Sequence, residues 1–131
     1  MLYEKNHLHI LLVEDTNIIR ISMEELLKLQ GCRVSVATSG EDAIKKFHTG
    51  IDGVLMDIGL PGIDGYQATR AIRQQYPNHQ ICIYACSAFA QDIEEKCKES
   101  GMNSLIQKPC LFANLQAFLS EVRQKSCVNL I

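Results

Sequence analysis

A chain of 131 residues, 47% hydrophobic and 21% charged, has the size of one domain with one core and is too apolar to be disordered as a whole. A net charge of −2, with no run of Lys or Arg, excludes the basic face that non-specific nucleic-acid or acidic-membrane binding requires. No apolar run approaches the roughly 18 residues that span a bilayer, and Met1 to His9, with Glu4 and Lys5, lacks a secretory-signal pattern, so a cytoplasmic location is expected.

Short β-like runs alternate with longer helical ones along the chain. A first strand is predicted over about His7 to Val13. It contains "HILLVED", His9 to Asp15, in which four apolar residues run straight into two carboxylates. Ile18, Ile19, Met23, Leu26 and Leu27 then recur at helical spacing as far as Gly31, a helix stop. The second strand, about Cys32 to Ala37, alternates through Val34 and Val36. Ser39 offers a cap to a helix with Ala43, Ile44 and Phe47 on one face. "GVLMD", Gly53 to Asp57, is a third strand, followed by the turn-rich "IGLPGIDG" with Pro61 and three glycines.

A helix is expected from about Tyr66 to Gln75, ending before Pro77. The fourth strand, "ICIYAC", is apolar throughout, as a strand covered on both faces should be. The next helix is expected over about Ala90 to Ser100, and Ser104 to Gln107 forms a fifth strand leading into Lys108-Pro109. A last amphipathic helix carries Leu115, Phe118, Leu119 and Val122, followed by a short tail over 126–131. The alternation predicts one α/β domain, with its core over about 8–125, built on a parallel sheet with helices on both faces.

Ligands of such folds bind at the carboxyl ends of the strands, near the point where strand order reverses. Those ends carry Glu14 and Asp15, Asp57, Ser87 and Lys108, so every reactive-looking polar group falls on one rim. If the first and third strands are neighbours, about 4.8 Å apart, Glu14, Asp15 and Asp57 meet in one acidic cluster. Three carboxylates at that range repel one another unless a cation intervenes, and a hard divalent ion such as Mg²⁺ or Mn²⁺ with oxygen ligands relieves them directly. For Asp15 the plainer alternative is a cap on the following helix. Its company with Asp57 and Lys108 favours the metal. The six cysteines form no C-x-x-C pair and are read as reduced thiols in the core or at the surface. His7, His9, His48 and His79 are scattered and read as structural or surface residues. Phe89 and Phe112 are expected to pack rather than to bind a flavin.

Taken together, "LLVED", "VLMDIGLPGIDGY", "CSA" and "QKP" resemble, in this order and spacing, the receiver domain of two-component response regulators. The resemblance spans about Leu8 to Val122. It implies a flavodoxin-like three-layer sandwich with five helices and a five-stranded parallel sheet of order 2-1-3-4-5. It also implies that Asp57 accepts a phosphoryl group from a phosphohistidine, with Mg²⁺ held by Asp15, Glu14, Asp57 and the backbone carbonyl of Gly59. Ser87 would hydrogen-bond the phosphoryl group, with Ala88 its small neighbour. Lys108 would pair with a phosphoryl oxygen, and its bond to Pro109 would be cis. The glycines from Gly59 to Gly65 would let the backbone turn tightly beside Asp57.

One position departs from the family. Many receivers have Tyr or Phe three residues before the lysine, where this chain has Leu105. An aliphatic residue there, with "GLPGIDGYQATRAIR" and "GMNSLIQKP", resembles receivers of hybrid sensor histidine kinases. Those relay phosphate between a histidine kinase domain and a histidine phosphotransfer domain, and no direct nucleic-acid contact is expected. A stand-alone single-domain response regulator acting by protein binding is the alternative. An Asp-nucleophile phosphatase would want a second Asp where Gly59 stands, and a flavin binder would not place acids after the first strand.

Overall fold

The computed structural model describes residues 2–3, 7–89, 91–126 and 128–129. Five parallel strands, β1 (His9–Val13), β2 (Arg33–Ala37), β3 (Gly53–Asp57), β4 (Cys82–Ser87) and β5 (Ser104–Gln107), form one sheet. Its order is β2-β1-β3-β4-β5, as the resemblance implied. Leu12 pairs with Val36 on one side and Leu55 on the other, and Asp57 stands opposite Cys86. The helices between and after the strands are α1 (Asn17–Leu29), α2 (Gly40–Lys46), α3 (Gly65–Gln75), α4 (Glu94–Ser100) and α5 (Phe112–Ser126). Separately, Leu2–Tyr3 pairs antiparallel with Val128–Asn129. Of the tail, Ser126 closes α5, while Cys127, Leu130 and Ile131 lie outside the described residues.

Period-two alternation sends the sheet's side chains to two cores. Leu11, Val13, Val54, Met56, Ile83 and Ala85 meet Ala43, Phe47, Ala68 and Ile72 of the α2–α3 side. Ile10, Leu12, Leu55 and Cys86 meet Met23, Leu27, Leu115, Phe118, Leu119 and Val122 of α1 and α5. All five residues of β1 and of β3 are buried, which explains their unbroken apolar runs. β4 departs from the expected full cover. Tyr84 is only partly buried, and its hydroxyl donates to Glu121 on α5.

Other departures have local causes. Ile18, expected on the apolar face of α1, is 81% exposed, and Met23 and Leu27 supply that helix's buried contacts. Ser39 caps α2 as expected, accepting from the Asp42 N–H at 3.0 Å. The helix nevertheless stops at Lys46, and Phe47 is buried from its cap position. α4 begins at Glu94 because Asp92 sits in the left-handed region (φ 63°), which a helix cannot pass through. Ala90, its expected first residue, lies outside the described residues.

Phe89 and Phe112 do not pack as expected. They are 78% and 42% exposed, and both flank the carboxyl rim of the sheet. No helix among the described residues is long and apolar enough to cross a membrane.

Candidate functional site

The carboxyl ends of β1, β3 and β5 bring four charged side chains together. β1 places Glu14, which is 1% exposed, immediately after its last residue, with Asp15 beside it in solvent. β3 ends in Asp57, 6% exposed. Carboxylate oxygens of Glu14, Asp15 and Asp57 all lie within 4.8 Å of one another. Lys108, one residue beyond β5, puts its Nζ 2.8 Å from Glu14 Oε1 and 3.3 Å from Asp57 Oδ1. The Lys108-Pro109 bond is cis.

The cluster is electrostatically unbalanced, with three carboxylates against one ammonium. Burial, and then the Glu14 charge, push the Asp57 carboxyl above the usual aspartate range against the pull of Lys108 and the Gly59 N–H. Burial acts to lower the Lys108 ammonium, but the hydrogen bond to Glu14 and the charges of Asp57 and Glu14 outweigh it, and its pKa is raised. Three hard oxygen donors at this spacing, carrying excess negative charge, suit a small divalent cation in chemistry and in sign.

The acidic pair divides its roles in a way that the sequence did not foretell. Glu14 is the buried member, and its Oε2 accepts the Thr16 N–H at 3.2 Å. Thr16 is the N-cap of α1 and no side chain caps that helix, so capping does not account for Asp15. Lys108, which the resemblance pairs with a phosphoryl oxygen, is held on Glu14 and Asp57.

The loop after β3 is shaped by particular glycines. A Cβ at Gly65 would overlap the carbonyl oxygen of Asp57, so α3 begins in direct contact with the end of β3. Gly62 has φ +75° and faces the Glu41 carboxylate. Gly59 needs no such freedom, since a Cβ there would meet open space. Its N–H donates to Asp57 Oδ1 at 3.1 Å. α3 is fixed further by a capping box, with Asp64 Oδ1 accepting from the Gln67 N–H and Gln67 Oε1 accepting from the Asp64 N–H, both at 2.9 Å.

Ser87 ends β4 on the same rim, but its hydroxyl turns back on its own loop. Oγ donates to the Phe89 carbonyl at 2.7 Å and accepts the Phe89 N–H at 3.1 Å. Ala88 between them is exposed. The Lys108 N–H donates to the Ser87 carbonyl at 2.7 Å, which ties the two loops together through their backbones. Leu105 packs partly buried against the α2–α3–α4 core.

Two neighbours of the site were read in the sequence only as core or surface thiols. Cys86 Sγ, before Ser87, and Cys110 Sγ, after Pro109, lie 3.8 Å apart. The hydrogen bond with Cys110, together with burial, pushes the Cys86 thiol well up, while the same sulfur–sulfur hydrogen bond lowers Cys110. Their separation of 24 residues offers no local motif, and only the adjacency of β4 and β5 brings them together.

Known proteins share this arrangement. A family model of the response regulator receiver domain matches residues 10–120. The transcriptional regulatory protein AfsQ1 of Streptomyces coelicolor is 36% identical over 123 residues, or 89% of this chain and 53% of its own length. The sensor protein EvgS of Escherichia coli O157:H7 is 34% identical over 119 residues, or 89% of this chain and 10% of its own length. This chain therefore spans between a tenth and about half of those relatives. The crystal structure of the receiver domain of sensor histidine kinase PA1611 from Pseudomonas aeruginosa has a magnesium ion coordinated in its active-site cleft. It superposes with a TM-score of 0.80 at 36% identity, covering 90% of this chain and 98% of that one. With its sheet order, its acidic rim and a family match over 10–120, the chain belongs to the response regulator receiver domains.

Proposed function

We propose that this receiver domain accepts a phosphoryl group on Asp57 from a phosphohistidine presented by a histidine kinase domain. One observation carries the reading. A buried carboxylate ends β3 beside an acidic pair, with the Lys108 ammonium 3.3 Å from its Oδ1. Asp57 attacks phosphorus, a P–O bond forms as the P–N bond breaks, and the electron pair returns to the imidazole nitrogen. Because phosphoryl transfer depends on positioning and on neutralising spread charge, the surrounding groups matter more than any further covalent help.

Glu14, Asp15, Asp57 and the Gly59 carbonyl would hold Mg²⁺, with Mn²⁺ the alternative ion. When bound, it supplies the positive charge that offsets the carboxylates and the incoming phosphoryl oxygens. Lys108 exchanges its contact with Glu14 for a phosphoryl oxygen. Ser87 releases the Phe89 backbone and donates to another, and exposed Ala88 leaves room for the group to enter. With Leu105 in place of an aromatic residue, output follows these two loops rather than the rotation of a ring. The domain is a phospho-acceptor with slow self-dephosphorylation, not a turnover enzyme.

The resemblance to hybrid sensor kinases, and 34% identity to the sensor protein EvgS, support a place in a phosphorelay. The phosphoryl group would pass onward to a histidine phosphotransfer domain, in the cytoplasmic part of a sensor kinase. The alternative, a stand-alone regulator acting by protein binding, uses the same Asp57 chemistry. Incubation with acetyl phosphate and Mg²⁺ is expected to add one labile phosphate, read by intact mass, and Asp57→Asn to add none. An Asp57→Asn protein phosphorylated as fast as the wild type would overturn the assignment.

A further inference from the structure

Cys86 and Cys110 stand beside the two loops that carry Ser87 and Lys108. Cys86 is 2% exposed, lies across from Asp57 in the sheet register and immediately precedes Ser87. Cys110 is half-buried, two residues beyond Lys108. Their sulfurs, 3.8 Å apart, need to close by only about 1.7 Å to reach bonding distance. Other described thiols are placed differently. Cys82 Sγ donates to Glu121 at 3.4 Å, and Cys32 is buried at the start of β2, beside Asp52 and Arg123.

We propose that Cys86 and Cys110 form a dithiol that hydroperoxides oxidise to a disulfide, and that the crosslink hinders phosphorylation of Asp57. Cys110, the more accessible sulfur, attacks the peroxide. An S–O bond forms, the O–O bond breaks, and the thiol proton leaves with the departing hydroxide as water. Cys86 then attacks the resulting sulfenic sulfur. The S–S bond forms, the S–O bond breaks, and a second water carries away the Cys86 proton. Two thiols lose two electrons in all, and one hydrogen peroxide becomes two waters. A small dithiol reverses the reaction by exchange.

The consequence for the site follows from connectivity. The crosslink joins the end of β4, which carries Ser87, to the loop that carries Lys108. Those loops already share the hydrogen bond from the Lys108 N–H to the Ser87 carbonyl. A second, covalent tie fixes their spacing where Ser87 must release Phe89 and Lys108 must change partner. This half of the proposal rests on Asp57 being the phospho-acceptor, whereas disulfide formation does not.

The test treats native protein with hydrogen peroxide, alkylates the remaining thiols with N-ethylmaleimide, and reads intact mass and peptides. The expected result is loss of two hydrogens, a peptide linking Cys86 to Cys110, and reversal by dithiothreitol. Cys110→Ser and, separately, Cys86→Ala should abolish that linkage. A wild-type protein that keeps both thiols alkylatable, or that links other cysteines, overturns the dithiol. In a parallel assay with acetyl phosphate and Mg²⁺, oxidised wild type should gain phosphate at least about fivefold more slowly than reduced wild type. Peroxide-treated Cys110→Ser should not slow. Equal rates for the two wild-type forms overturn the coupling. A reduced protein that takes up no phosphate counts instead against the receiver reading, and the linked peptide alone then decides the dithiol.

Discussion

Asp57 is held in a position that disfavours its own charge. Burial and Glu14 raise its pKa, and Lys108 and the Gly59 N–H compensate only in part. Without a divalent ion, the folded state binds the Asp57 proton more tightly than the unfolded chain does. Below the unfolded value, about 3.9, both states are protonated and the penalty is absent. As pH rises from there through the raised folded value, the penalty develops and stability falls. Asp57→Asn removes this contribution while leaving a carbonyl oxygen to accept from Gly59. In EDTA, Asp57→Asn is therefore expected to exceed wild type in unfolding free energy by a margin that grows across that window. Urea denaturation at a series of pH values measures the margin, and one that shrinks as pH rises would contradict the electrostatic reading. Lys108 acts in the opposite sense at the other end of the scale. Its raised folded pKa gives stability that is present below about 10.4 and is lost as pH rises through the folded value.

At the level of elements, α3 is the helix most rigidly indexed to the site. Its first residue, Gly65, abuts the Asp57 carbonyl, and its capping box closes both backbone donors at Asp64 and Gln67. Asp64→Ala is expected to cost about 1 kcal/mol, seen as a lower urea midpoint at unchanged slope. An unaltered midpoint would mean that α3 is held by packing alone. α4 is the contrasting case, with only Cys97 and Ser100 of its seven residues buried. The sequence places its start at about Ala90, whereas the helix begins at Glu94. The left-handed Asp92 and the Ser87–Phe89 clasp are backbone facts that no side-chain period reports. The strands were legible for the opposite reason. β1 and β3 are buried along their whole length between two helical layers, so their apolar runs stop abruptly at the polar rim.

Across the whole molecule, the site exists only when β1, β3 and β5 have taken their places, since its charged groups lie 14, 15, 57 and 108 residues along the chain. The rim could be read from sequence because strand ends in a parallel sheet share one edge. Which partner each group would choose could not, since the Lys108–Glu14 pair and the Cys86–Cys110 contact depend on rotamers at the ends of different strands. A ligand of this rim binds the folded state alone. Mg²⁺ at about a hundred times its dissociation constant is expected to add about 2.7 kcal/mol of stability. Thermal unfolding across a Mg²⁺ titration should show the melting temperature climbing, with most of the increment lost in Asp57→Asn. A melting temperature indifferent to millimolar Mg²⁺ would count against the cation site.

The packing of α5 has a consequence for how the domain can be suspended. Phe118 and Val122 lie against Gly53, the first residue of β3, so the second half of α5 runs toward the sheet edge opposite Asp57. β1 starts from that same edge, and Leu2–Tyr3 pairs with Val128–Asn129. A module joined ahead of β1 or beyond α5 would attach on the side away from the acidic rim. The acidic rim, at the opposite pole, would then stay open to a large partner even on a short leash.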